Sequence, residues 1–169
     1  MILREVELGD EAEALRAQEE LLTDKFTFLL QYEEGMYWAD FIKIHQEYKE
    51  GRVPEGRVPA SFLLAVDEGQ IVGRVSIRHD LNDFLFNFGG HIGYGVRPQF
   101  RRMGYATEIL KLALDYCRQL GLAKVLVTCN DQNEPSAKTI EKCGGKLENK
   151  ALEKNEEGER LVRRYWIDL

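Results

Sequence analysis

Cysteine and proline are scarce in this chain, whose 169 residues include three cysteines and four prolines. Cys117, Cys129 and Cys143 are far apart and form no Cys-x-x-Cys pair. This spacing is typical of neither a disulfide framework nor a zinc site. We therefore expect three reduced, buried thiols, no bound metal and a fold that needs no covalent cross-link.

Long apolar stretches are absent as well. No run approaches the roughly 20 apolar residues of a membrane span. The N-terminal stretch MILREVELGDEAEAL carries acidic side chains where a signal peptide has its apolar core. These two absences predict a cytoplasmic protein without membrane attachment.

Positive charge is outnumbered, with 23 lysines and arginines against 29 aspartates and glutamates and a formal net charge of −6. Most nucleic-acid-binding modules present a basic face, so we expect no nucleic-acid partner. Hydrophobic residues make up 44% of the sequence, an ordinary share for a globular protein. The length suits one domain, 1–169, with a core large enough to fold without a metal or disulfide.

Hydrophobic periodicity predicts the elements of the first half of the chain. Asp10 stands before a helical stretch and Glu13 follows three residues later, which is the spacing of a capping box. Two apolar runs on either side of Asp67–Gln70 predict a β-hairpin. The predicted elements are a strand over 2–8, helices over 12–22 and 36–48, a loop over 51–59 and the hairpin over 61–79.

The second half alternates strands and helices. Its longest predicted helix, from about 102 to 120, places apolar residues on one stripe that we expect to be buried. The stripe consists of Ala106, Ile109, Leu110, Ala113, Cys117 and Leu120. The other predicted elements are strands over 91–96, 123–130, 146–150 and 160–169 and a helix over 133–145. This order predicts an α+β fold built around one sheet.

The segment HIGYGVRPQFRRMGYA (91–106) joins a predicted strand to the long helix and contains Arg97, Arg101 and Arg102. A helix that begins near Gly104 leaves its first backbone N–H groups without partners, and the missing Cβ lets a ligand approach them. Arginine side chains suit phosphate oxygens, so the turn predicts a site for a phosphate-bearing anion next to these arginines. The alternative is an ordinary helix start with solvated arginines.

Two other phosphate-binding motifs are missing from this turn: no Gly-Lys-Ser/Thr follows the glycine, and there is no Gly-x-Gly-x-x-Gly. The segments YGVRPQFRRMGYATEILKLAL and VLVTCNDQNEPSAKTIEKCGG instead resemble the GNAT superfamily of N-acetyltransferases. The resemblance rests on the motif Arg101–Ala106, on Val96-Arg97-Pro98 before it, and on Asn133, Ser136, Glu141, Lys142 and Gly144 after it.

The resemblance implies a mixed, mostly antiparallel sheet that is flanked by helices and splayed between its fourth and fifth strands. It also implies that acetyl-CoA is the cosubstrate, with its pantetheine arm in the gap and its pyrophosphate on the turn. Asn133 has a second interpretation as a plain helix cap. The residues implied to bind the coenzyme are Gly95, Val96, Arg101, Arg102, Met103, Gly104, Tyr105, Ala106, Asn130 and Asn133.

Catalytic residues are harder to assign. Many GNAT proteins carry a tyrosine on the last helix as general acid, and the matching position here is Ile140, which leaves Tyr94 and Tyr105 available. His91 is the candidate base, because an imidazole relays protons near neutral pH, and a structural histidine is the alternative. Strand alternation puts His91 and Tyr94 on opposite faces, so only one of them can face the acetyl group. The remaining candidates are His79 and Asp80, while His45 is expected to pack.

The resemblance implies that the first two helices and their loop shape the acceptor pocket. Glu33, Glu34 and Asp40 lie there and could attract a cationic amine; a solvated charged face is the alternative. The implied function is transfer of the acetyl group to a primary amine of a small molecule or peptide by direct attack, and the alternative is a non-enzymatic acyl-CoA sensor. The last strand, RLVRRYWIDL, either closes the sheet or pairs across a homodimer.

Overall fold

The computed structural model describes residues 1–169, in which seven strands form one sheet with four α-helices on its faces. None of the helices combines the length and apolarity needed to cross a bilayer. The strands are β1 (Ile2–Arg4), β2 (Ala60–Asp67), β3 (Gln70–Arg78), β4 (Ile92–Val96), β5 (Lys124–Asn130), β6 (Lys146–Asn155) and β7 (Gly158–Asp168). The helices are α1 (Glu11–Leu22), α2 (Trp38–Lys49), α3 (Tyr105–Gln119) and α4 (Glu134–Lys142).

The sheet order is β1-β2-β3-β4-β5-β7-β6, and every neighbouring pair is antiparallel except β4 and β5. β4 pairs with β3 along its whole length, and β5 pairs with β7 along its whole length. In contrast, the parallel ladder between β4 and β5 contains one pair, Ile92 opposite Val127. The predicted α+β fold, with a mixed sheet splayed between the fourth and fifth strands, is therefore confirmed.

Alternation along the strands divides the core into two layers. On one face of the sheet, Leu63 and Ala65 of β2 belong to the core cluster that includes α3 and α4. On the other face, Phe62 and Leu64 belong to the cluster that includes α1 and α2. Alternate side chains of the central strands therefore serve opposite faces of the sheet.

The long helix is shorter than the sequence pattern predicts. Arg102 and Gly104 have φ values of 61° and 87°, so the helix begins only at Tyr105. Leu120 lies beyond the last helical residue and is 39% exposed, and Ala106 in the first turn is half-buried, so the predicted burial of these two residues is wrong. The four central members of the stripe are buried as predicted: Ile109, Leu110, Ala113 and Cys117.

The first strand is also shorter than predicted, because the chain turns at Asp10. The Asp10 carboxylate accepts two hydrogen bonds of 2.8 Å from the Arg4 guanidinium and one of 2.7 Å from the backbone N–H of Glu7. It is thus turned away from α1 and makes no side-chain cap there. The predicted capping box is wrong, since Glu13 instead accepts a hydrogen bond of 2.9 Å from the backbone N–H of Ile71.

Two further segments differ from the sequence pattern. The strands predicted over 146–150 and 160–169 extend towards each other, because β6 runs to Asn155 and β7 begins at Gly158. The segment between β3 and β4, where the pattern indicates no element, contains a π-helical turn at Leu85–Gly89. Backbone pairing with β7 extends β6 in spite of its weak alternation, a case of tertiary context overriding local preference.

The three cysteines are free thiols. Cys117 and Cys129 are buried as predicted, whereas Cys143 at the end of α4 is half-buried. Burial raises the pKa of all three thiols, that of Cys117 to about 11. All three are therefore protonated at neutral pH.

Arg97, directly after β4, ties the sheet to α1. Its guanidinium is 6% exposed and donates hydrogen bonds of 2.8 Å to both carboxylate oxygens of Glu20 and one of 2.9 Å to Glu13. It also donates to the carbonyl oxygen of Ile71 at 2.8 Å. The predicted position of Arg97 beside a phosphate is wrong, because two carboxylates already neutralise its charge.

We predict that Arg97→Met lowers the free energy of unfolding by about 3 to 5 kcal/mol, since it strands two partly buried carboxylates. Arg101→Met, which removes the exposed ion pair with Asp24, should cost less than about 1 kcal/mol. Arg97 also lowers the pKa of Glu20, so wild-type stability should fall as the pH drops below the ordinary value of 4.5. Urea unfolding at pH 7 and pH 4 measures both effects; equal losses in the two variants would contradict the prediction.

Candidate functional site

The turn after β4 presents a row of backbone N–H groups that have no acceptor. Gly104 caps α3 without a side-chain hydrogen bond, and the first helical bond runs from the N–H of Glu108 to the Gly104 carbonyl at 3.2 Å. The N–H groups of residues 102–107 donate to no atom of the protein. We call residues 102–107 the amide cradle. Its unpaired N–H groups and the positive end of the helix dipole together suit an anion.

The amide cradle opens into a cavity of about 490 Å³ between the end of β4 and the start of α4, which we call the cradle cavity. The structure brings nine of the predicted site residues together here: Tyr94, Gly95, Val96, Arg101, Arg102, Gly104, Tyr105, Ala106 and Asn133. Five further residues line the cavity, of which Ser136 belongs to the motif after Asn133 but was not predicted to bind: Phe100, Thr107, Pro135, Ser136 and Thr139. The α4 residues among them follow the cap Asn133 directly, which is the signal that could have found them.

The gap between β4 and β5 leaves backbone groups of β4 free. In an antiparallel pair, successive residues point their N–H and C=O groups alternately towards and away from the partner strand. Arg97 donates its N–H to β3, and by this alternation Gly95 also faces β3, while Tyr94 and Val96 face the gap. Of the two backbone positions predicted to bind the coenzyme, only Val96 therefore points into the gap, and Tyr94 is the position that was missed.

Gly95 has a packing role on the other side of the sheet. A Cβ at this position would lie 2.5 Å from the ring of Phe26. That ring in turn lies under the buried guanidinium of Arg74, 4.4 Å from its centroid. The packing of Phe26 on the face of the sheet that carries α1 and α2 therefore requires a glycine at position 95.

The two remaining arginines of the turn lie at the cradle cavity. Arg101 forms an exposed ion pair with Asp24 at 2.6 Å and donates from Nε to the carbonyl oxygen of Val96 at 3.3 Å. Arg102 is exposed and has no ion-pair partner within the protein. An anion at the amide cradle would therefore meet one free guanidinium and one that is shared with a surface carboxylate.

Two predicted coenzyme residues do not line the cradle cavity. The side chain of Met103 is 63% exposed, so only the backbone N–H of this residue belongs to the amide cradle. Asn130 ends β5, and its side-chain oxygen accepts a hydrogen bond of 2.9 Å from the N–H of Gln132. Asn133 does line the cavity and also caps α4 by accepting from the N–H of Ser136 at 3.2 Å, so both interpretations of this residue are compatible.

Tyr94 points into the cradle cavity from the middle of β4. Its hydroxyl lies 3.1 Å from the hydroxyl of Ser136 on α4. Burial raises the pKa of Tyr94 to about 12, so the phenol keeps its proton at neutral pH. Ile140, where a family tyrosine is often found, is fully buried in the core. Tyr105 lines the cavity, but its hydroxyl donates to Asp67 at 2.6 Å.

His91 is held by the sheet. Its ring is 6% exposed, and Nδ1 accepts a hydrogen bond of 2.9 Å from the backbone N–H of Leu126. Burial lowers the pKa of His91 to about 4. An imidazole of this kind satisfies a buried backbone donor and is a weak base at neutral pH, which favours the structural alternative.

The other basic candidates are engaged in similar ways. His79 Nε2 lies 2.8 Å from the hydroxyl of Ser61, and burial lowers its pKa. His45 stacks on Phe62 with a centroid distance of 4.5 Å, in agreement with its predicted packing role. Asp80 is exposed after the end of β3.

A second cavity of about 310 Å³, which we call the α2 cavity, lies on the opposite face of the sheet. It is bounded by α2, β2, the end of β3 and the π-helical turn, with Phe62, Ser76, Arg78, Phe84 and Leu85 among its lining residues. The acidic residues predicted to attract an amine do not line it: Glu33, Glu34 and Asp40 are exposed elsewhere on the surface.

Solved acetyltransferase structures share this fold. RimJ from Mycobacterium smegmatis in complex with CoA-disulfide superposes with a TM-score of 0.72 and 21% identity over 98% of this chain and 80% of that chain. A point mutant of spermidine N-acetyltransferase SpeG from Vibrio cholerae gives 0.66 and 20% over 99% and 95%. The protein yncA from Salmonella typhimurium, with its cofactor acetyl-CoA, gives 0.66 and 13% over 99% and 93%. At these identities the likeness establishes the fold alone.

Sequence comparison establishes the family. The uncharacterized N-acetyltransferase YnaD from Bacillus subtilis (strain 168) is 29% identical over 86 residues, which are 48% of this chain and 46% of YnaD. The match thus spans under half of that relative. The family described as acetyltransferase (GNAT) domain matches residues 1–146. The chain therefore belongs to the GNAT acetyltransferase family.

Proposed function

We propose that residues 1–169 act as one acetyl-CoA-dependent N-acetyltransferase domain, which moves an acetyl group to a primary amine of a small molecule or peptide. The observation that carries this proposal is the amide cradle, which opens into the cradle cavity beside the gap between β4 and β5. We also propose that the protein works in the cytoplasm without a nucleic-acid partner, in keeping with its net charge of −6.

The amide cradle would hold the pyrophosphate of acetyl-CoA, and Arg101 and Arg102 would add charge-assisted hydrogen bonds. The backbone groups of Tyr94 and Val96 that face the gap would pair with the amides of the pantetheine arm, in the manner of an added strand. The arm would then run along β4 from the turn towards Ile92, where the two strands meet.

Acetyl-CoA supplies an acetyl group already activated as a thioester. The amine nitrogen bonds to the carbonyl carbon, the carbon–sulfur bond breaks, the amine loses a proton and the departing sulfur gains one. Tyr94 is the protonated side chain in the cradle cavity that lies closest to the meeting point of the strands along β4. Its hydroxyl would donate a hydrogen bond to the developing thiolate, the role that many relatives give to a tyrosine at the position of Ile140.

The non-enzymatic alternative, an acyl-CoA sensor, is supported by the lack of a tyrosine at position 140, which is a buried isoleucine. Thiol-reagent detection of CoA release from acetyl-CoA, with a panel of primary amines, tests the two functions against each other. Amine-dependent release supports the enzyme. Tight acetyl-CoA binding without release from any amine would support the sensor.

We predict that Gly104→Glu weakens acetyl-CoA binding about 100-fold relative to Gly104→Gln, a difference of about 2.8 kcal/mol. Both side chains are forced into the same left-handed conformation, at φ of 87°, and enter open space. Only the glutamate places a negative charge against the pyrophosphate. Calorimetric titration of both variants measures the difference, and equal affinities would remove the pyrophosphate from this turn.

We predict that Tyr94→Phe lowers kcat about 100-fold and leaves the Kd for acetyl-CoA unchanged, because only the proton donor is lost. Tyr116→Phe is the control, since the Tyr116 hydroxyl lies 2.8 Å from the Ser61 hydroxyl and does not line the cradle cavity. Steady-state CoA release and calorimetry give the two constants. Full activity of Tyr94→Phe would exclude the hydroxyl from the reaction.

We predict that His91→Asn keeps kcat within about threefold of wild type, because the amide oxygen replaces Nδ1 as acceptor and no base is lost. His91→Leu should lose about 1 to 3 kcal/mol of stability by leaving the Leu126 N–H unpaired. Because the folded-state pKa of His91 is about 4, below its ordinary 6.5, wild-type stability should decline as the pH falls from 6.5 to 4. His91→Asn should show a smaller decline. A kcat loss of about 100-fold in His91→Asn would instead restore His91 as the base.

A further inference from the structure

Arg78 is half-buried, and it differs from the three buried arginines of the protein because it has neither a carboxylate partner nor a set of short bonds to backbone carbonyls. Arg97 binds two glutamates, Arg164 binds Glu148, and Arg74 donates to three backbone carbonyls. The Arg78 guanidinium forms no ion pair, and its one side-chain hydrogen bond is a long one, 3.5 Å from Nη1 to the Gly89 carbonyl oxygen. Burial lowers its pKa, as expected for a charge that the protein leaves uncompensated.

The unpaired guanidinium lies at the gap between β4 and β5. A Cβ built on Gly93 would approach Arg78 Nη1 to 3.2 Å, so the guanidinium rests against the bare backbone of β4. Gly93 follows Ile92, the only β4 residue that pairs with β5. Arg78 therefore reaches the point where the strands separate, from the face opposite the cradle cavity.

The α2 cavity around Arg78 is cationic and partly apolar. Its lining contains two arginines, Arg57 and Arg78, and no aspartate or glutamate. His45 adds no charge at neutral pH, because burial lowers its pKa to about 4. The apolar part of the lining comes from seven residues, among them Leu30, Phe62, Phe84 and Leu85. Such a lining suits a small molecule with one anionic group and one apolar group, and it disfavours a polycation.

We infer that the α2 cavity binds the acceptor, and that the acceptor is an amino acid with an apolar side chain, its carboxylate paired with Arg78. This inference rests on the proposed function, since it names the substrate class of that transferase. A guanidinium binds a carboxylate through two parallel hydrogen bonds, which fixes orientation as well as charge. The α-amine, two bonds from the carboxylate carbon, would then lie at the gap where the thioester arrives. The nitrogen–carbon bond forms, the carbon–sulfur bond breaks, and one proton passes from the amine to CoA.

The test compares amines that differ in the carboxylate alone. Wild-type protein with acetyl-CoA is assayed for CoA release with L-phenylalanine, phenethylamine and L-phenylalaninamide, and with L-leucine, isopentylamine and L-leucinamide; spermidine is included as a polycation. We expect kcat/KM for the free acids to exceed that of their matched amines and amides at least tenfold. Equal or lower values for the acids, or activity with none of these acids, would overturn the inference.

Variants separate charge recognition from folding. Arg78→Met should raise KM for the preferred acid at least tenfold, abolish the preference for the carboxylate and leave the Kd for acetyl-CoA unchanged, while Arg78→Lys should restore part of the preference. Arg118→Met removes an exposed arginine of α3 and should change neither constant. An unchanged carboxylate preference in Arg78→Met would exclude Arg78 as the anion site.

The two proposals fail in different ways. If the wild-type protein does not bind acetyl-CoA, both the proposed function and the inference are overturned. Acetyl-CoA binding with turnover of spermidine or of the matched amines, and not of the acids, would keep the transferase and overturn only the amino-acid acceptor.

Discussion

The rest of the site depends on one constraint, which is that β4 and β5 share a single residue pair. Each strand is fully paired on its other side, β4 with β3 and β5 with β7, so the gap divides the sheet into two antiparallel halves. Arg97 fastens the end of β4 to α1 through Glu13 and Glu20, so that this end of the strand is bound on the side of α1. The opening is therefore built by pairing elsewhere in the sheet, and the two cavities lie on its two faces.

Partners decide what each arginine does in this acidic protein. The guanidiniums of Arg97 and Arg164 are buried with carboxylates and hold the fold together. Arg101 and Arg102 are exposed beside unpaired backbone N–H groups, where a phosphate would complete their coordination. Arg78 is half-buried at the α2 cavity, where the chain supplies no anion to pair with it. Since a sheltered cation without a partner costs free energy, an anionic ligand bound there would stabilise the folded protein.

Local sequence was sufficient for much of the fold. The centre of the α3 stripe, the hairpin turn and the glycine before α3 all depend on short stretches of sequence. Five residues of the predicted turn line one cavity: Arg101, Arg102, Gly104, Tyr105 and Ala106. What could not be predicted depends on partners distant in sequence. Arg97 is 77 residues from Glu20, and the Nδ1 of His91 is occupied by an amide 35 residues away. A sequence pattern can place a residue on a strand, but it does not predict which charged side chains of a distant helix will contact that residue.

Alternation in β4 shows how one short strand serves both faces. The odd residues, Gly93 and Gly95, lack side chains, so Arg78 and Phe26 rest directly against the backbone on the α1–α2 face. Tyr94, between them, points to the opposite face and lies 3.1 Å from Ser136. The Gly-x-Gly of β4 lies inside a strand, where it allows side chains of neighbouring elements to pack against the backbone. Because Gly93 and Tyr94 are consecutive, the Arg78 guanidinium and the Tyr94 phenol lie on opposite faces of the sheet beside the same gap.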